Sequence, residues 1–286
     1  MSLKLSIVTP SFNQGRFLEE TILSVLNQGY EPLEYIVIDG GSTDESVEII
    51  KRYQDRLTYW VSEKDRGQVH AINKGLERVT GEVFAFINSD DIYFPGTFNA
   101  VMSHFEAHPK SNWVCGDTQL FGEGHETKLV ETVVPKSAAH CLAWEYKAAQ
   151  PGHFWKTEIV RPGFEERWNY DFDHDMYIRL LLSGYECEYL PFRMAGYRLH
   201  EVSKTIAEGH RQIEEFDQIA EFYETRLEGA DKRWCRATRF LRLSYAASEA
   251  GKRVEAAKWL TRALATHPES LMNRPFWGCL RRLATA

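Results

Sequence analysis

The sequence predicts an α/β fold, a mostly parallel sheet flanked by helices, followed by a helical C-terminal region. Two observations carry this. Through the first 120 residues, short apolar runs alternate with longer stretches of helical period, the pattern of βα units. Beyond Lys204 the text is helical throughout. Of 286 residues, 43% are apolar and 26% charged, which excludes a disordered or collagen-like chain. No apolar run approaches the ~18 residues of a spanning helix, and no charged-then-apolar signal peptide opens the chain.

The strand candidates are Leu5 to Thr9, Tyr35 to Asp39, Thr58 to Ser62, Val83 to Ile87 and Trp113 to Asp117. Between them, Phe17, Ile22, Val25 and Leu26 make one apolar helical face. Val47, Ile49, Ile50 and Tyr53 mark a second helix. Ser42, three residues before Glu45, has the spacing of a capping box, so that helix is expected right after Gly40 and Gly41. Further helices are expected over Val69 to Val79 and Thr97 to His108. After Asp117 come hairpin-like pieces around Gly122 and Gly124. A helix from Asp173 to Ser183 and strands at Glu186 to Leu190 and Met194 to Arg198 follow. The reading divides the chain into a catalytic domain over 1–204 and a helical region over 205–286. In the latter, Leu243, Ser244, Ala247, Gly251, Ala256, Leu260, Ala263 and Pro268 fit one tetratricopeptide-like hairpin.

The five cysteines are odd in number and widely spaced, which suggests neither a zinc knuckle nor a disulfide framework and points to a reducing, cytoplasmic compartment. Net charge is −7, unevenly spread: residues 232–286 carry +9 and the preceding body −16. An acidic body argues against nucleic-acid binding. The basic tail also holds Trp234, Phe240, Trp259, Phe276 and Trp277, and Pro275 to Leu283 mixes aromatics with arginines. Such a mixture suits peripheral membrane contact, or packing of the tail onto the rest of the chain.

Every polar cluster of interest falls at the C-terminal end of a strand, where ligands bind in an open α/β sheet. Asn88-Ser89-Asp90-Asp91 follows the strand Val83 to Ile87. Adjacent carboxylates there point in different directions, so one can hold a divalent cation while the other meets a different group. Asp39-Gly40-Gly41-Ser42 offers a carboxylate beside glycines that allow close backbone approach. In Asp65-Arg66-Gly67-Gln68, helix-opening amides and a guanidinium suit a phosphate.

Taken together, these segments resemble glycosyltransferase family 2, the inverting enzymes of GT-A fold. The matching runs are Val8-Thr9-Pro10-Ser11-Phe12-Asn13, Ile38 to Asp44, Asp65-Arg66-Gly67, Ala71-Ile72-Asn73-Lys74-Gly75 and Asn88-Ser89-Asp90-Asp91. The resemblance covers roughly residues 4–204. It implies a nucleoside diphosphate sugar as donor, a divalent metal (Mn or Mg) and a glycan or lipid-linked acceptor, in cell-surface polysaccharide or glycan synthesis. Pro10, Phe12, Asp39 and the loop of Asp65, Arg66 and Gly67 would cradle the nucleotide. Asp90 would hold the ribose side and Asp91 the metal, with His200 completing the metal shell and Ser203 and Lys204 covering the diphosphate. Aligning Asp175 to Leu180 with the family's run puts Asp173 on the general base position, with Asp171 and Asp175 as rivals. His153 and Trp155 would lie at the acceptor floor.

Three alternatives remain. A nucleotidyltransferase would want a Gly- and basic-rich loop where Pro10 to Arg16 has one of each. A dehydrogenase would want Gly-x-Gly-x-x-Gly after the first strand. A decayed sugar-nucleotide binding module would be expected to lose Asp91 or the acidic helix start.

Overall fold

The computed structural model describes residues 2–269 and Trp277. They fall into two compact units: Met1–Ser137 with Tyr146–Gln212, and Ala138–Glu145 with the chain from Ile213 onward. The first unit thus runs eight residues past Lys204, and a short internal segment belongs to the second.

The first unit begins β1 (Leu5–Ser11), α1 (Gly15–Leu26), β2 (Leu33–Asp39), α2 (Ser46–Tyr53), β3 (Tyr59–Ser62), α3 (Gln68–Arg78) and β4 (Val83–Phe86). These four strands pair in parallel in the order β3-β2-β1-β4. β1 and β4 are buried along their whole length, as strands covered by helices on both faces must be, which is why they read as continuous apolar runs. Phe17, Leu18, Ile22 and Val25 form the buried stripe of α1. α2 starts later than the capping-box spacing implies. Ser42 instead donates its hydroxyl to Asp39, and Asp44 Oδ1 accepts the Ser46 amide at 3.0 Å. The loop thereby gains six residues between strand and helix that are free to shape a site.

The chain continues through β5 (Ile92–Tyr93), α4 (Thr97–Ala107), β6 (Trp113–Phe121), β7 (Lys128–Val130), α5 (Ala138–Leu142), β8 (His153–Lys156), α6 (Thr157–Val160), α7 (Phe172–Leu182) and β9 (Glu188–Arg198). Beyond β4 the sheet runs β8-β6-β9-β5, with β7 on β6 as the expected hairpin. β8 is antiparallel to both neighbours, so the sheet is parallel in its first half and mixed in its second. The two strands expected over 186–198 are one strand, whose pairing with β6 slips between Leu190 and Arg193. Pro191, which has no amide hydrogen, lies in the slipped segment.

α8 (Lys204–Ala207) and α9 (Gly209–Glu224) precede α10 (Gly229–Glu249) and α11 (Arg253–Thr266). α10 and α11 form the hairpin expected from the repeat-like pattern, turning at Gly251 with φ of 72°. Leu241, Leu260 and Ala263 make its core, and Ser244 donates to Ala256 O at 2.8 Å. α5 joins this unit because Arg242 Nη1 donates to Leu142 O at 3.1 Å and Cys235 Sγ meets Ala139 O at 3.4 Å. The Pro275 to Leu283 stretch lies, Trp277 apart, outside the described residues. None of the described helices is long and apolar enough to cross a membrane.

Candidate active site

The loop after β2 is built around Asp39, which is fully buried. Its carboxylate accepts Gly41 N at 3.1 Å, Ser42 N at 2.9 Å, Ser42 Oγ at 2.5 Å and Ser62 Oγ at 2.7 Å. Three of these bonds go to Oδ2 and one to Oδ1, so Asp39 is held by its own loop and by Ser62 of β3. The β1–α1 turn is tied to the same loop: Asn13 N donates to Ser42 Oγ at 2.8 Å and Thr43 N to Asn13 Oδ1 at 2.8 Å. Pro10 is buried in β1 opposite Ile38, whereas Phe12 is 60% exposed, a free aromatic face at the strand end. Asp65 Oδ1 accepts Gly67 N at 2.8 Å. A Cβ on Gly40 would stand 2.8 Å from Asp65 Oδ2, so glycine is what lets the two loops close together.

Arg66 makes a two-point pair with Glu166, Nε–Oε2 3.0 Å and Nη2–Oε1 3.0 Å, at an exposed position. Such a pair is worth at most ~1 kcal/mol, so a phosphate could claim the guanidinium at little cost. Gly67, with φ of 116°, opens α3.

At the end of β4 the two carboxylates part. Asp91 is 1% exposed; its Oδ1 accepts the Arg198 amide at 2.8 Å and its Oδ2 the Asn88 side chain at 3.3 Å. Burial, and then the charge of Asp90, push its carboxyl well above the ordinary aspartate range. Asp90 is the more open of the two, and its Oδ2 lies 3.0 Å from His200 Nε2. The structure therefore brings His200 to Asp90, where the sequence reading joined it to Asp91. The turn over Asn88 to Asp91, in which Asp91 N donates to Asn88 O at 3.1 Å, is the reason: it sends Asp91 inward to the Arg198 amide and leaves Asp90 beside His200. His200 is packed on the Phe17 ring at 4.6 Å, and its Nδ1 is buried with no hydrogen-bond partner. A carboxylate and an imidazole side by side, the second ring nitrogen of the latter without a partner, are the donor types that a divalent cation takes.

Ser203 is buried and donates to His200 O at 2.8 Å, so it shapes the turn that presents His200. Lys204 Nζ reaches Gln68 Oε1 at 3.0 Å and Asn169 O at 3.0 Å, joining α8, α3 and the turn before α7.

The three aspartates at the start of α7 are also unequal. Asp171 and Asp175 are fully buried. Asp175 Oδ1 accepts Trp168 Nε1 at 2.9 Å and its Oδ2 the Arg179 guanidinium at 2.8 Å. Asp171 Oδ1 accepts Gln212 Nε2 at 3.1 Å and lies 3.0 Å from His174 Nδ1. Asp173 alone is half-buried. Burial raises its carboxyl above the ordinary value; Asp171 adds to this, and the His174 charge opposes it.

His153 and Trp155 lie in the interior, not on an acceptor floor: both are fully buried, His153 stacked on Tyr177 at 4.5 Å and on Trp155 at 5.7 Å. β8 is a central strand, so its side chains face helices on either side. Cys115, His153 and Cys187 offer ligand atoms within 4.8 Å of one another. Yet Trp113 Nε1 donates to His153 Nδ1 at 2.9 Å, so the neutral ring carries its proton on Nε2 and has no lone pair to spare for a metal. Burial lowers this histidine's pKa to about 3, which keeps it neutral.

Sequence reasoning missed Arg198, which anchors the acidic pair by Nε to Asp90 O at 2.7 Å while its guanidinium lies 4.4 Å from the Phe121 ring. It also missed His174, and gave Asn88, though part of the quoted acidic run, no role of its own. Only Arg198 had a legible signal, its place at the end of a strand next to the expected metal histidine.

Carboxylates at the ends of β2 and β4, on a sheet of this order, define the GT-A class of fold, and solved structures of that class superpose on it. S. aureus TarS in complex with UDP-GlcNAc does so with a TM-score of 0.68 at 19% identity, covering 93% of this chain and 82% of that one. A mannosyltransferase of Pyrobaculum calidifontis in complex with GDP-Man and Mn2+ does so at 0.61 and 19% identity, covering 99% and 85%. The sequence pattern described as Glycosyl transferase family 2 matches residues 6–175, and the chain belongs to that family. An uncharacterised glycosyltransferase of Haemophilus influenzae is 34% identical over 135 residues, 45% of this chain and 52% of that protein. A Campylobacter jejuni protein named GalNAc(5)-diNAcBac-PP-undecaprenol beta-1,3-glucosyltransferase is 31% identical over 129 residues, 44% and 41%. The matches span about half or less of these relatives' length.

Proposed function

We propose that this chain is an inverting, metal-dependent glycosyltransferase that moves a sugar from a nucleoside diphosphate sugar to an acceptor hydroxyl in glycan or polysaccharide synthesis. The observation that carries it is the Asp90–His200 contact at the end of β4 together with Asp173, the least buried of the three aspartates at the start of α7. Residues 1–204 carry the groups assigned to the chemistry, and Gln212 just beyond them supports Asp171.

Phe12 stacks on the base, and the loop that Asp39 braces, with Asp65 and Gly67, encloses the nucleoside. Pro10 stiffens the strand beneath it. Asp91, expected as the metal ligand, acts instead as the buried anchor of the acidic loop. Asp90 and His200 hold the divalent cation, which when bound offsets the charge on the departing diphosphate. Arg66 and Lys204 meet the diphosphate, and Ser203 holds the His200 turn. Asp173 takes the proton of the acceptor hydroxyl as that oxygen bonds to the anomeric carbon, and the carbon–oxygen bond to the diphosphate breaks on the opposite face.

The acceptor class follows the names of relatives: one is an undecaprenol-linked glucosyltransferase and another a putative teichuronic acid biosynthesis glycosyltransferase of Bacillus subtilis, 38% identical over 90 residues, 30% of this chain and 36% of that protein. Peripheral membrane contact through the basic tail is the weaker part of the reading. Phe240 and Trp259 already stack on each other at 5.4 Å with Arg262 4.9 Å from the latter ring, which favours packing within the unit. Sedimentation with anionic vesicles at low salt tests it, and no binding leaves packing.

The deciding experiment is a donor screen following nucleoside diphosphate release with Mn2+ or Mg2+ present. Release should require a divalent ion and be lost in Asp90→Ala and His200→Ala. Full activity in excess chelator would overturn the metal assignment.

A further inference from the structure

We propose that His174 is a positioning residue that stays positively charged between Asp171 and Asp173, keeping Asp173 ionised and ready to accept a proton. The proposal rests on Asp173 being the general base. Three groups at the start of α7, Asp171, Asp173 and His174, offer ligand atoms within 4.8 Å of one another. Two carboxylates so close, one fully buried and one half-buried, each disfavour the other's charge, and the helix N-terminus and a nearby cation relieve this. His174 is that cation. Its Nδ1 lies 3.0 Å from Asp171 Oδ1, and its backbone amide donates to Asp173 Oδ1 at 3.0 Å.

The surroundings hold the ring in place. Tyr146 meets it edge-on at 5.6 Å and Tyr177 lies 6.0 Å away, so its tilt is set by aromatic neighbours. Asp171 is itself fixed by Gln212 of α9. The titratable group facing His174 from β8 is His153, whose pKa of about 3 leaves it neutral and unable to compete for the role. Although burial works against it, the charges of Asp173 and Asp171 raise the His174 pKa above the ordinary value.

The charge count explains why two carboxylates accompany one imidazolium. At rest the cluster carries −1. After Asp173 has taken the proton of the acceptor hydroxyl it is neutral, and the His174–Asp171 pair is still matched. Metal binding by the same three residues would need a neutral His174, whereas the charges of Asp173 and Asp171 favour its protonated form.

The test uses the full chain in two ways. With ring-13C histidine label and no ligand, the His174 resonance should titrate above the ordinary value of about 6.5, and Asp173→Asn should lower its midpoint. A midpoint at or below the ordinary value, or one indifferent to Asp173→Asn, would overturn the proposal. In turnover, with UDP-glucose, UDP-GlcNAc and GDP-mannose as donors, His174→Gln should move the acid limb of kcat to higher pH. It should lose more at pH 6 than at pH 8 and leave donor KM unchanged, and His174→Lys should restore the limb. An equal loss at every pH would mark a merely structural residue and overturn it. Full turnover by Asp173→Asn would instead remove the base reading; an inactive Asp173→Asn with an unmoved His174→Gln limb would remove only this proposal.

Discussion

The acidic pair after β4 and the acidic run that opens α7 solve one problem in two geometries. Each contains several carboxylates, and each buries some of them against donors, Asp91 in the first and Asp171 and Asp175 in the second. After β4 the chain turns, with Asp91 N donating to Asn88 O at 3.1 Å, and Asp91 goes inward to the Arg198 amide while Asp90 stays with His200. On α7 the spacing is helical. Asp171 and Asp175 are buried and bonded, Asp175 to both Trp168 and Arg179, and Asp173 stays half-open between them. The difference teaches that the local backbone, a turn in one run and a helix in the other, decides which aspartate is buried against donors and which is left for the role proposed above.

The sharpest way to break the comparison is Asp173→Asn, for which kcat should fall about 10²-fold or more with nucleotide affinity nearly unchanged, read by turnover and nucleotide titration. If Asp175→Asn is the inactive variant and Asp173→Asn is active, the working and bracing roles on α7 are reversed. Next come the braces. Asp91→Ala leaves the buried Arg198 amide without its acceptor and should cost about 1–3 kcal/mol of stability in denaturant unfolding, whereas Asp90→Ala should cost little stability and the activity.

A pH effect sharpens the contrast between site and interior. The folded pKa of His153 is depressed to about 3, so the unfolded chain binds a proton below its ordinary ~6.5 that the folded chain refuses. Stability should therefore fall by about 1.4 kcal/mol per pH unit as pH drops from about 6 toward 3. His153→Phe should flatten that limb in urea unfolding, at some cost in packing. The smallest effect is expected at the nucleotide loops. In Gly40→Ala the new methyl meets Asp65 and displaces it, so donor KM should rise several-fold, about 1 kcal/mol, with kcat little changed.

The order of strands and helices was legible because burial on both faces leaves continuous apolar runs and amphipathic helices leave a 3.6-residue period, both local signals. Gly40, Gly41 and the acidic clusters were legible for the same reason, as short runs at strand ends. The sequence by itself therefore determined the α/β class, the family and the segments that form the site. It could not determine that Ser42 would bond Asp39 and not cap α2, that His153 and Trp155 would stack in the interior, or that His200 would meet Asp90 and not Asp91. The first is a local choice between two neighbours of Ser42; the other two depend on β8 and β9, strands that enter the sheet beside β4 and β6, elements about seventy residues earlier. Only the tertiary structure decided those two, because a buried carboxylate takes whichever donor the sheet brings within hydrogen-bonding reach, and sequence distance says nothing about which donor that is.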